Sequence, residues 1–225
     1  DHPAGDLETL TPGLATVVPT LDNGLITLAA DGTTYITFPI RPGVKFHNGA
    51  ILTPEDVKYT FMRAFLVGGQ ASSVNVLVQN LLGKASFSEL VDEIGYDAAY
   101  EQLDQVVTVS GQNVTFKLPK PFVPFLGIMA DSGAATGIMN KAWCIAQGDW
   151  PGTKETGQAH MNKTTETDPL FDKMMGTGPF MLASSEPERV VLDAFKDYWR
   201  GAPQLERVIR MIVDDNQTAI LLLKN

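Results

Sequence analysis

Tyr35-Ile36-Thr37-Phe38-Pro39-Ile40-Arg41-Pro42-Gly43-Val44-Lys45-Phe46-His47-Asn48-Gly49 leads, two residues later, into Leu52-Thr53-Pro54-Glu55-Asp56-Val57-Lys58-Tyr59-Thr60-Phe61. From Thr34 onward the pattern alternates. Ile36, Phe38 and Ile40 share one face and Tyr35, Thr37 and Pro39 the other, as in a half-buried strand. Proline cannot donate to a ladder, so Pro39 places this strand at a sheet edge. Arg41-Pro42-Gly43-Val44 has Pro and Gly at the second and third positions of a type II turn, and His47-Asn48-Gly49 makes another turn. Thr53 then caps a helix, Pro54 opens it, and Glu55 and Asp56 sit where the helix dipole favours acids. The helix should reach about Leu66, with Val57, Phe61, Ala64 and Phe65 as its buried stripe, and Gly68-Gly69 should end it.

Outward from that stretch, both helices and strands follow. Ser73 to Leu82 carries Val74, Leu77, Val78, Leu81 and Leu82 on one helical side, stopped by Gly83. Ser86-Phe87-Ser88-Glu89 has capping-box spacing for a third helix, and Asp97 is a candidate cap for a fourth that ends near Leu103. Val106 to Val109 and Val114 to Leu118 alternate around Ser110-Gly111-Gln112-Asn113, a hairpin pattern. Phe122 to Met129 is apolar enough for a buried helix. The polar stretch 148–169, with Pro151, Gly152 and Gly157, reads as a long surface loop. Arg189 to Phe195 and Arg207 to Val213 read as strands, and Gly176-Thr177-Gly178-Pro179 as a turn entering another. Residues 1–32, punctuated by Pro and Gly, suggest short strands and turns.

The composition narrows the function classes. With 17 basic and 26 acidic residues the formal charge is −9. Phosphate binding needs clustered Lys and Arg, and here they are scattered, which argues against nucleic acid. No apolar run reaches the roughly 18 residues of a spanning helix. Cys144 stands alone in Ala142-Trp143-Cys144-Ile145-Ala146, the setting of a buried, inert thiol.

Catalytic patterns are missing from the sequence. There is no Gly-x-Ser-x-Gly elbow, and His2, His47 and His160 are the imidazoles available as bases. His47 lies in a tight turn, where packing or capping explains it; His160 has no carboxylate or Cys at ligand spacing, so no metal is expected. Gly176-Thr177-Gly178-Pro179 lacks the Lys of a phosphate loop, and Pro179 lacks the N–H. Asp92-Glu93 and Asp214-Asp215 point different ways on a helix, so neither pair is an acid and base couple. No catalytic residue, cofactor or metal site is therefore expected.

The quoted stretch resembles the family 5 extracellular solute-binding proteins, the peptide, dipeptide and nickel receptors of ABC importers. That family's pattern is a strand ending Leu-Arg-x-Gly-x-x-Phe-x-x-Gly, then a helix opening with an acidic residue, Asp, Val and an aromatic; Ile40 replaces Leu here. Gly176-Thr177-Gly178-Pro179-Phe180 and Asp197-Tyr198-Trp199-Arg200-Gly201-Ala202-Pro203 agree in order and spacing. The resemblance runs from about Leu14 onward, the 148–169 loop being the least typical part. It implies a mixed α/β (α+β) fold of the type II periplasmic-binding class, a two-lobed clamp, here in part. Residues 1–175 correspond to domain II and 176–225 to a returning segment of domain I. The chain opens Asp1-His2-Pro3 and stops in an apolar run after Asp214-Asp215-Asn216, so a piece of a longer protein is expected.

Further implications concern function. The family role is capture of a small solute, peptide by default, for delivery to an ABC permease in the membrane, with no catalysis. Nickel and oligosaccharide receptors, and sensor or chaperone-like use of the same fold, are the alternatives. The location implied is periplasmic or extracellular, with a lipid anchor as one option. Arg41, Gly43, Phe46, Gly49, Asp56, Val57, Gly176, Gly178, Pro179, Tyr198 and Trp199 are read as scaffold. Gln70, Ser72, Asp131 and Ser132 are the ligand-lining candidates, being polar and placed in the two segments that reach ligand in some members. With the other lobe absent, the piece alone is expected to bind weakly if at all.

Overall fold

The computed structural model describes residues 9–67, 72–130 and 137–213, with backbone alone at 72–73. Strands β1 (Ile26–Leu28), β2 (Thr34–Pro39), β3 (Val107–Ser110) and β4 (Asn113–Leu118) form one antiparallel sheet in the order β1-β2-β4-β3. The hairpin joins β3 to β4 as its turn residues predict, with Gly111 at φ 58°. Alternation places Ile36 opposite Phe116 and Phe38 opposite Val114 on the inner face, while the Thr37 and Thr115 hydroxyls share a hydrogen bond of 2.8 Å on the other. Phe116 meets Phe61, Phe38 and Phe125 edge-on at centroid distances of 4.8, 5.7 and 5.4 Å. Each such pair adds about 0.5–1.5 kcal/mol to the burial of the rings.

Pro39 does not mark an edge strand: β2 lies between β1 and β4. The explanation is local. Ile26 pairs with Ile36 and the Thr37 N–H reaches the Leu25 carbonyl, so β1 has run out before Pro39. On that flank Pro39 needs only a donor for its carbonyl, which accepts the Thr16 N–H at 2.8 Å.

Helix α1 (Pro54–Val67) starts as predicted. The Thr53 N–H and hydroxyl both donate to Asp56 Oδ2, at 2.9 and 2.7 Å. Val57, Phe61 and Phe65 are buried, but so are Tyr59, Thr60, Met62, Leu66 and Val67. The stripe widens because α1 is packed by β3 and β4 on one flank and by α2 (Ser72–Leu82) and α6 (Lys141–Ala146) on others. Gly68-Gly69 lies outside the described residues. Helix α3 (Phe87–Ile94) has the expected capping box, the Ser86 hydroxyl accepting from the Glu89 N–H and Glu89 from the Ala85 N–H.

Three expectations change. Helix α4 (Tyr96–Val106) is capped by Gly95, not Asp97, because Gly95 at φ 82° both closes α3 through the Val91 carbonyl and opens α4; Asp97 lies in the first turn. Helix α5 (Phe125–Ala130) starts later than the apolar run and leaves Val123 94% exposed. Pro124 holds the preceding residue out of the helical region, so the first residues stay extended. The 148–169 stretch is not simply a surface loop: it contains α7 (Lys154–Gly157), a short 3-10 turn at Gln158–His160, and the buried Asp149, Trp150 and Gly157. Trp150 stacks on Tyr59 at 5.6 Å, and its indole N–H donates to the Thr153 carbonyl at 2.9 Å.

A second antiparallel sheet has the order β5 (Phe180–Glu186), β6 (Arg189–Ala194), β7 (Arg207–Met211), with a bulge between Leu182 and Ser184. Val191 and Phe195 are buried, whereas Ile209 and Met211 are exposed. All strands of the first sheet precede residue 119 and all those of the second follow 179.

Candidate ligand groove at the seam of the two sheets

At the seam the 41–49 block closes on two blocks more than a hundred residues along the chain, 176–179 and 195–200. The turn at Arg41-Pro42-Gly43 uses Gly43 at φ 76°, a conformation that costs an L-residue about 1 kcal/mol or more. It feeds a tight hairpin: the Phe46 N–H donates to the Ala50 carbonyl and the Gly49 N–H, at φ 84°, to the Phe46 carbonyl, both at 2.8 Å. Phe46 is 0% exposed and anchors the hairpin in the core. His47 extends from its tip. The His47 N–H donates to the Gly176 carbonyl at 3.0 Å, the Gly176 N–H donates to Nδ1 at 3.5 Å, and Nε2 lies 3.0 Å from the Gly178 carbonyl. The Phe195 ring meets the imidazole edge-on at 5.1 Å. Burial holds His47 below its ordinary value, against a smaller upward pull from the Gly178 carbonyl.

On the other side of the seam, Lys45 pairs with Asp197 at 2.7 Å. Trp199 is flanked by two guanidinium groups, Arg41 at 4.8 Å and Arg200 at 4.5 Å from the ring centroid. The same two arginines hold the chain entering the fold: Arg41 Nε donates to the Gly13 carbonyl at 3.1 Å and Arg200 Nη2 to the Pro12 carbonyl at 2.8 Å.

Between these elements lies a groove of about 500 Å³. Its floor is apolar, with Phe38, Ile40, Val57, Phe61 and Phe116 from the first sheet and α1, and Leu126 and Met129 from α5. Its rim is formed by 10–15, 176–179, Tyr198 and Trp199. Such a cavity can desolvate an apolar group of small-molecule size. Among the described residues no group of three or more His, Cys, Asp or Glu is placed to hold a metal ion.

The motif residues divide between seam and core. Arg41, Gly43, Gly49, Gly176, Gly178, Pro179, Tyr198 and Trp199 build the seam and the groove's rim, while Val57 lines its floor. Asp56 is buried; besides capping α1 it accepts the Lys141 N–H at 2.8 Å, which ties α1 to α6. Of the ligand-lining candidates, Gln70, Asp131 and Ser132 lie outside the described residues, and Ser72 opens α2 with its side chain outside them. Ala130 and Gly137, the described residues flanking Asp131 and Ser132, both line the groove.

Sequence spacing gave no sign of one buried polar cluster. Arg63 Nε donates to Asp149, and Nη2 to both oxygens of Asp168 at 2.8 and 3.0 Å. Burial lowers the Arg63 guanidinium, and the hydrogen bonds and charges of Asp149 and then Asp168 overcome this and raise it. The Tyr59 hydroxyl reaches Asp149 Oδ2 at 3.2 Å and the Trp150 carbonyl at 2.9 Å. The available signal was Arg63 inside the apolar run Phe61-Met62-Arg63-Ala64-Phe65, a cation that burial obliges to find a carboxylate.

Residues 9–225 match the family model for bacterial extracellular solute-binding proteins, family 5 Middle. Di/tripeptide-binding protein 2 of Pseudomonas aeruginosa is 26% identical over 97% of this chain and 37% of its own length. The dipeptide-binding protein of Escherichia coli is 28% identical over 84% of the chain and 31% of its length. Among solved structures, NikZ of Campylobacter jejuni in complex with Ni(L-His) superposes with a TM-score of 0.61, at 20% identity over 96% of the chain and 34% of the neighbour. The ABC transporter-associated periplasmic binding protein DppA of Helicobacter pylori, in complex with peptide STSA, gives 0.57 at 20% identity, covering 95% and 36%. The fold is thus the mixed α/β fold of type II periplasmic-binding proteins, and the chain spans about a third of the length of the relatives it matches.

Proposed function

The chain belongs to the bacterial extracellular solute-binding proteins of family 5, and from that premise we propose that it is part of a receptor that captures a small peptide outside the cytoplasm for an ABC permease. The observation that carries this is the family match over residues 9–225, joined by relatives whose names specify dipeptides and tripeptides. Residues 1–175 form the domain II portion and 176–225 a returning part of domain I, with the seam motifs as their shared scaffold. Ligand lies between this lobe and a second one, and Gln70, Ser72, Asp131 and Ser132 are the contributions of this lobe. The complete receptor is periplasmic or surface-held, by a lipid anchor in the latter case. The 225-residue chain by itself binds weakly, because half of the clamp is elsewhere.

A thermal-shift screen of the complete receptor and of the 225-residue chain tests this, against dipeptides, oligopeptides, Ni(II)-histidine and oligosaccharides. A ligand present at a hundredfold its dissociation constant stabilises the native state by about 2.7 kcal/mol. The expected result is a shift with peptides for the complete receptor, little for the chain alone, and loss of affinity when the four named residues become alanine. A shift with nickel or sugar alone overturns the peptide reading, and no shift with any class overturns solute capture.

A further inference from the structure

His47 is bonded through both ring nitrogens in a way that only one protonation state allows. Gly178 offers a carbonyl to Nε2, so Nε2 must carry the proton; Gly176 offers an N–H to Nδ1, so Nδ1 must have its lone pair free. The neutral Nε2–H imidazole satisfies both contacts. An imidazolium would turn an N–H toward the Gly176 N–H and lose that bond. We propose that His47 is a proton-sensitive catch on the seam: neutral, it fastens the 41–52 hairpin to 176–178 through both ring nitrogens and its backbone; protonated, it loses the bond from the Gly176 N–H and holds the hairpin to the second sheet more loosely.

The surroundings suit such a device. Residues 176–179 bring no ionisable side chain, and the Phe195 ring is T-shaped to the imidazole at an interplanar angle of 75°. The charged side chains at this end of the seam are Lys45 and Asp197, each engaged by the other, while Arg41 and Arg200 face Trp199. Among the described residues, no carboxylate is hydrogen-bonded to or paired with the ring to compensate an imidazolium. Burial favours the neutral ring, so as pH falls the unfolded or opened state takes up the proton first. The seam's full stability is present above the ordinary value of 6.5 and is lost as pH falls from there toward the lower native value.

Hydrogen exchange followed by mass spectrometry on the intact protein, corrected for intrinsic exchange, reads this opening directly. Between about pH 7.5 and about pH 5.5, protection over 44–52 and 174–182 should fall by up to about tenfold, while protection over 114–118 holds. His47→Gln should flatten the profile and His160→Gln should leave it as in the wild type. Retained pH dependence in His47→Gln, its loss in His160→Gln, or a flat wild-type profile each overturns the proposal. Nitrogen-15 chemical shifts of the wild-type ring need no variant: an Nε2–H tautomer with a midpoint below 6.5 supports it, and an Nδ1–H tautomer or a midpoint above 6.5 refutes it.

Discussion

Arg63→Met should be among the most destabilising substitutions in the chain. The Arg63 side chain is 11% exposed and Asp149 is 0% exposed, so the variant strands a carboxylate in the core. Asp149 Oδ1 has no hydrogen-bond partner among the described residues. Oδ2 keeps only the Tyr59 hydroxyl, whose single proton is also sought by the Trp150 carbonyl. Methionine replaces much of the arginine stem, so lost packing is the smaller part of the effect. Breaking a buried pair from one side costs about 3–5 kcal/mol, a large share of the roughly 5–15 kcal/mol that holds a domain together. Asp168→Asn, at the more exposed partner, leaves Arg63 on Asp149 and should cost about 1 kcal/mol. Arg63→Met with Asp149→Leu removes both charges and should recover most of the single variant's loss. Urea unfolding followed by circular dichroism measures all three as midpoint shifts at constant m. A loss below about 1 kcal/mol for Arg63→Met, or a double variant no more stable than the single one, refutes the reasoning.

Two further outcomes follow from individual sites. Burial, and then the charge of Asp149, push the Cys144 thiol up to about 12, so an aromatic disulfide reagent at mildly alkaline pH should leave the native chain unlabelled and react only in denaturant; rapid native labelling contradicts this. A Cβ at Gly157 would sit 2.2 Å from the Tyr96 hydroxyl and 2.9 Å from Leu66 Cδ1. Gly157→Ala should therefore cost about 1–3 kcal/mol by calorimetry, and an unchanged melting temperature would show that α7 is free to shift.

The first sheet and its helices were legible because each depends on short-range signals. The alternation of 34–40 and 114–118, the Thr53 and Ser86 caps and the Gly83 stop act within a few residues of the backbone they shape. What the sequence hid depends on partners far along the chain. Pro39 misled because a proline needs a free flank only at its own position, and β1, which pairs no further than Ile36, leaves it one within a central strand. The 148–169 stretch looked like solvent-facing loop by composition, yet Asp149 and Asp168 are claimed by Arg63 across 86 and 105 residues and Trp150 by Tyr59 across 91. A polar residue buried with its counter-ion has the same letter as one in water.

The same distinction separates seam from groove. The seam requires particular residue types: glycine where φ is positive at 43 and 49, an imidazole with one donor and one acceptor at 47, a guanidinium over an indole at 41 and 199. Requirements that narrow leave a pattern in the sequence, so the blocks that revealed the family are those that meet at the seam. The groove floor asks only for apolar side chains of suitable volume, and volume-conserving swaps such as Leu for Ile or Met satisfy it at small cost. The groove thus rests on positions where composition is loosely constrained, while family identity rests on positions where it is not. That asymmetry is why the fold and family could be read from the letters and the groove could not.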